Sequence, residues 1–186
     1  MTHRRIFIAI NLPENIKKEI SNYQLKWLEL PIRWVKKENL HITLSFLGYL
    51  TDEELLEVLK ISEETALKHK SFIINLNRII YGPPKQPPRM VWVEGEKSEE
   101  LGKMQKDLES SLSGQGTHEE SRAYAPHITL ARINQWEFRK IEPEERPEIN
   151  EEINLSFEVN SIDVMESRLK KGGPEYSILE SCQLKD

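Results

Sequence analysis

The first stretch of the chain, RRIFIAINL, residues 4–12, reads as a strand with apolar residues on both of its faces. Ile6, Ile8 and Ile10 fall on one face, with Phe7 and Ala9 on the other, which predicts a central strand buried on both sides. Pro13 suits the first turn of a helix. Ile16, Ile20, Tyr23 and Trp27 then recur at helical spacing to about residue 28, and Pro31 breaks the run. Arg33-Trp34-Val35 predicts a short strand, and residues 36–39 a turn. A longer strand follows from His41 to Gly48. Thr51 with Glu54 three places on has the form of a capping box. Leu55, Leu59, Ser62 and Ala66 mark the helix it opens, over about 51–69. Residues 72–81 read as a strand. GPPKQPPR, 82–89, is too rich in proline for a helix or an inner strand and reads as a rigid surface crossing. Residues 89–95 predict another strand. Ser98 caps a third helix with Leu101, Met104, Leu108 and Leu112 on its apolar side, ended by Gly114 and Gly116. A polar segment leads to a strand from about 127 to 132. Residues 134–152, rich in Glu and Pro, read as a loop or arm. One or two strands fill 153–169, a turn at 170–174 follows, and a closing strand runs from Glu175 to Leu184. Strands and helices in this order predict an α+β fold with mainly antiparallel pairing.

Composition narrows the class. The chain has 186 residues, 38% of them apolar, with four Trp, which is enough for one domain with a real core. The net charge of −5 argues against a non-specific nucleic-acid coat, but leaves room for an enzyme with a locally basic site. The single cysteine, Cys182, cannot form an intrachain disulfide and reads as a small buried residue. No apolar run reaches the length of a signal peptide core or a membrane span, so the expected location is the cytoplasm.

The candidate chemistry lies in a repeated tetrapeptide. His41-Ile42-Thr43-Leu44 and His127-Ile128-Thr129-Leu130 are identical, and no other His is followed by Thr two places on. On a strand, positions i and i+2 share a face. Each copy therefore sets an imidazole beside a hydroxyl, with Ile and Leu turned to the core. Two such strands brought together form a cleft with two His and two Thr. Imidazole is the side chain most easily set to move protons near neutral pH, and a threonine hydroxyl is a small donor for a phosphoryl oxygen. Two imidazoles flanking a phosphate can carry the two proton transfers of phosphodiester cleavage without a metal. A lone His-x-Thr would carry no such weight; the repeat in matched strands does. By strict alternation Arg132 faces away from His127 unless the strand ends or twists there, and Phe46 faces the core. Arg122 and Tyr124, just before the second motif, are candidates to grip a phosphate and stack a base. His69 reads as a complement to its helix dipole, and His118 as a loop residue.

The stretches RRIFIAINLP, RWVKKENLHITLSFLG, PRMVWVEG, RAYAPHITLAR and ESRLKKGGPEYSIL run almost from end to end of the chain. In them the sequence resembles the two-histidine (2H) phosphoesterase superfamily, and within it the RNA 2',3'-cyclic phosphodiesterases, also called 2'-5' RNA ligases. The resemblance implies a single bilobal domain over 1–186, with two mainly antiparallel sheets and outer helices around a central cleft, related by a pseudo-twofold axis. It implies hydrolysis of an RNA 2',3'-cyclic phosphate to a 2'-phosphomonoester with no metal required; the chain is expected to act as a monomer without a cofactor. In some members it implies 2'-5' joining of tRNA halves. His41 would be the proton donor and His127 the proton acceptor, with Thr43 and Thr129 on the non-bridging oxygens. Arg132, Arg122 and Tyr124 would contact substrate, an RNA end or a nucleotide. Two rival readings are a non-catalytic nucleotide or RNA binder on the same fold, and a metallohydrolase. The second lacks a carboxylate or further His at ligand spacing.

Overall fold

The computed structural model describes residues 3–84, 87–113 and 126–185. The strands are β1 (Arg4–Asn11), β2 (Ile32–Trp34), β3 (His41–Leu50), β4 (Phe72–Gly82), β5 (Met90–Gly95), β6 (Ile128–Ile133), β7 (Asn150–Val159), β8 (Ser161–Lys170) and β9 (Gly173–Gln183). The helices are α1 (Glu14–Asn22), α2 (Asp52–Ala66), α3 (Glu99–Leu112) and the short α4 (Gln135–Phe138). The first helix is shorter than its apolar spacing suggests. It loosens into a 3-10 turn at Tyr23–Leu25, although Trp27 remains buried beyond it. The arm at 134–152 is partly ordered as α4, a 3-10 turn at Pro143–Glu145 and the start of β7.

The strands form one antiparallel sheet in the order β7-β4-β5-β6-β3-β1-β8-β9, with β2 paired to β6. The sheet is two halves joined at one register pair, Ile42 with Ile128, where β3 meets β6. Outward from that junction, β3-β1-β8-β9 mirrors β6-β5-β4-β7. In each half the motif strand pairs with a strand that reaches it through a helix: β1 to β3 past α1, and β5 to β6 past α3. This is the pseudo-twofold arrangement expected of two related motifs.

The hydrophobic pattern decides which face is covered. Ile6, Ile8 and Ile10 share a continuous core with Ile42, Leu44, Val91, Val93, Ile128 and Leu130 and with the apolar sides of α1, α2 and α3. Thr51 caps α2 through a complete box with Glu54, and Ser98 caps α3 by accepting from the Leu101 amide. His69 lies past the end of α2, largely buried, with its Nε2 3.1 Å from Asp107 Oδ2 of α3. Cys182 is buried in β9, and burial pushes its thiol up to about 11. The opposite face of the sheet carries Phe7 and Ala9 in a small separate cluster with Met165 and Tyr176. That face is the cleft.

Candidate active site

Antiparallel pairing centred on Ile42 and Ile128 fixes the geometry of the repeat. One step either way along the ladder, His41 comes to the side of Thr129 and Thr43 to the side of His127. All four lie on the face opposite the buried Ile42, Leu44, Ile128 and Leu130. The imidazoles are close enough for the charge of one to act on the other.

The two histidines are held differently. His41 Nδ1 lies 2.7 Å from the Asn39 carbonyl, which can only accept, so Nδ1 carries the proton. Its Nε2 then has a lone pair toward the cleft, 3.0 Å from Thr43 Oγ1, and accepts from that hydroxyl. The ring rests against Phe7, with centroids 5.1 Å apart, and against the edge of Tyr176. Burial lowers its pKa to about 4, aided by the charges of Lys17, His127 and Arg132 and opposed by the Asn39 carbonyl. His127 instead lies flat on the indole of Trp92, with centroids 3.8 Å apart and planes at 18°. Trp92 is registered with Thr129 across the ladder, so the indole lies on the cleft face.

Strict alternation fails just beyond the threonine in each motif strand, and the failure has a physical cause. Along β1 the partners in β3 run from Phe46 to Ser45 and then to Thr43, passing over Leu44. Along β5 the partners in β6 run from Ala131 to Thr129, passing over Leu130. Each is a bulge, which adds one residue to one strand and inverts the faces beyond it. Arg132 therefore lies on the same face as Thr129, not away from it, and its charge acts on His41. Phe46, expected in the core, is instead 61% exposed on the cleft face, opposite Phe7 at 6.0 Å. The two motifs thus continue in parallel, Phe46 from the first and Arg132 from the second. Arg122 and Tyr124 lie outside the described residues.

Sequence reasoning missed Trp92, Phe46, Phe7 and Tyr176 as parts of the cleft. For Trp92 a signal existed, since it alternates with the buried Val91 and Val93. For Phe46 none did, because a bulge leaves no mark in the hydrophobic pattern. As built, the site offers two imidazoles held by different neighbours, two hydroxyls, a guanidinium and an exposed aromatic ring around one space. That set suits an anion flanked by two proton-transfer groups, beside a flat apolar group.

Comparison with known proteins shows what the chain as a whole is similar to. Residues 12–171 match the family model described as the 2'-5' RNA ligase superfamily. The RNA 2',3'-cyclic phosphodiesterase of Methanocaldococcus jannaschii is 33% identical, over 95% of this chain and 98% of its own. The protein of that name from Thermotoga maritima is 29% identical, over 96% and 95%. Among solved structures, E. coli LigT complexed with 3'-AMP superposes with a TM-score of 0.82 at 25% identity, covering all of both chains. A Thermus thermophilus protein, TT0787, gives 0.83 at 27% identity, over 97% of each.

Proposed function

The chain belongs to the 2'-5' RNA ligase superfamily, and on that premise we propose that it hydrolyses the 2',3'-cyclic phosphate at an RNA end to a 2'-phosphomonoester. The observation that carries the reading is the meeting of both His-x-Thr motifs on one cleft face about the Ile42–Ile128 pair.

In this scheme water attacks phosphorus while His127 takes its proton. The bond from phosphorus to the 3' oxygen breaks, and His41 protonates that oxygen as it leaves. Thr43 and Thr129 donate to the non-bridging oxygens as charge builds there. Arg132 adds a fixed positive charge, and the exposed face of Phe46 offers the terminal base a stacking surface. His41 is neutral in the free protein above about pH 4, so as the acid it must first gain a proton. The bound phosphate supplies the opposite charge that favours this. No step calls on a metal. A 5'-hydroxyl in place of the water would give a 2'-5' linkage by the same transfers, and that is the route by which tRNA halves would be joined.

The test is product analysis on a short RNA with a cyclic end, in chelator, for the wild type, His41→Ala and His127→Ala. The wild type alone should form the 2'-phosphate, with each variant down by roughly 10²–10⁴-fold. A second substrate with sulfur for the bridging 3' oxygen separates the roles. A thiolate leaves without a proton, so His41→Ala should recover on it and His127→Ala should not. Recovery of His127→Ala instead would exchange the two roles. RNA bound without turnover by the wild type would leave both histidines as ligand contacts.

A further inference from the structure

Two arginines stand side by side on adjacent strands of the second half-sheet. Arg33 of β2 is registered directly opposite Arg132 of β6. Their neighbours in that ladder, Ile32 with Ile133 and Trp34 with Ala131, face the core. Both guanidiniums therefore share the cleft face with Thr129, and both residues are exposed. Like charges directly opposite on a ladder destabilise the sheet. Among the described residues neither side chain has a hydrogen bond or ion pair to offset the repulsion. The chain as a whole is acidic, at −5. Two like charges set opposite each other on the ladder are a repulsion that an anion between them would relieve.

We propose that Arg33 and Arg132 together bind the phosphodiester on the 5' side of the terminal nucleoside, so that the enzyme selects RNA ends over single cyclic nucleotides. The proposal rests on the reaction assigned above and specifies its substrate. The spacing fits. With the bulge at Leu130, Arg132 is the next residue after Thr129 on the cleft face, about 7 Å along the strand at 3.3–3.4 Å per residue. An RNA that ends in a cyclic phosphate continues only in the 5' direction, so any second phosphate near the first is this one. Guanidinium forks match phosphate oxygens in pairs.

The experiment compares three substrates: adenosine 2',3'-cyclic phosphate, its 5'-phosphorylated form, and the dinucleotide ApA with a 2',3'-cyclic end. The quantity read is the ratio of kcat/KM for each longer substrate to that for the nucleoside. In the wild type both ratios should exceed about ten, from charge-assisted bonds to the added phosphate. Arg33→Gln should bring both ratios close to one. It should also flatten the slope of log kcat/KM against log salt for the dinucleotide by about 0.7. Arg89→Gln, an exposed charge on the chain before β5, should alter neither. Wild-type ratios near one, or ratios that survive in Arg33→Gln, would overturn the proposal. If the wild type turned over none of the substrates, the reaction would be wrong but the subsite would still be testable. Calorimetry with the 2'-phosphate products should then show the wild type, and not Arg33→Gln, binding the 5'-phosphorylated product more tightly. Equal binding would overturn the subsite as well.

Discussion

His41 and His127 sit in identical tetrapeptides, yet they are held differently, His41 by the Asn39 carbonyl and Phe7, His127 against the indole of Trp92. Burial and nearby cations hold His41 at about 4, against 6.5 for an ordinary imidazole. The sign of the consequence for stability follows from proton counts. Between pH 6.5 and 4 the unfolded chain protonates this ring and the folded one does not. The unfolded state binds more protons in that window, so stability rises with pH through it and is lost as pH falls from 6.5 to 4. By about pH 4.5 the loss from this one ring, relative to pH 7, should be about 2.4 kcal/mol. Urea unfolding of the wild type and His41→Gln at pH 7 and pH 4.5 isolates it, because the carboxylates are common to both. The wild type should lose more stability than the variant by that amount. Equal losses would mean that the ring is solvated and titrates near its ordinary value.

At the scale of elements, the cleft is built by strands that support one another sideways. Gly82 ends β4, Trp92 lies on β5 and His127 enters β6. A Cβ on Gly82 would come within 2.2 Å of the indole of Trp92, and that indole carries the His127 ring. A glycine two strands away therefore leaves room for the plane on which an imidazole lies. Gly82→Ala should tilt the indole and His127 with it, lowering kcat by roughly tenfold or more while KM changes little. Ring-current shifts of the His127 protons would report the tilt apart from activity. An unchanged His127 spectrum with full kcat would show that the indole is dispensable as a support. The order of the strands and the two motifs were legible because apolar alternation and helical spacing survive in most of the chain. The cleft-facing Phe46 and Arg132 were not. Their faces depend on single-residue bulges at Leu44 and Leu130, which pairing with the neighbouring strand reveals and the sequence conceals. The support of His127 by Trp92 was equally hidden, because it joins strands by register and not by proximity in the chain.

Across the whole molecule, the two halves meet in the ladder at one pair, Ile42 with Ile128, but they do not have separate cores. A single apolar cluster runs from Ile6 and Ile10 through that pair to Leu108 and Phe157, and it includes Leu55 and Val58 of α2 with Leu101 and Met104 of α3. A hinge between independent lobes would need an interface poorer than its lobes; here the junction residues are among the most buried in the molecule. The chain should then fold as one cooperative unit, its cleft geometry set by the same packing that sets its stability. Ile42→Ala tests both claims at once. Removing the buried side chain at the junction should cost about 2–5 kcal/mol. Unfolding followed by far-UV circular dichroism and by tryptophan fluorescence should still show one coincident transition, at lower urea. The variant should also lose turnover while folded, since both motifs are aligned on the pair that Ile42 completes. Two separated transitions would mean that the lobes are independent units, and full turnover in the folded variant would mean that the motifs are aligned by something other than this junction.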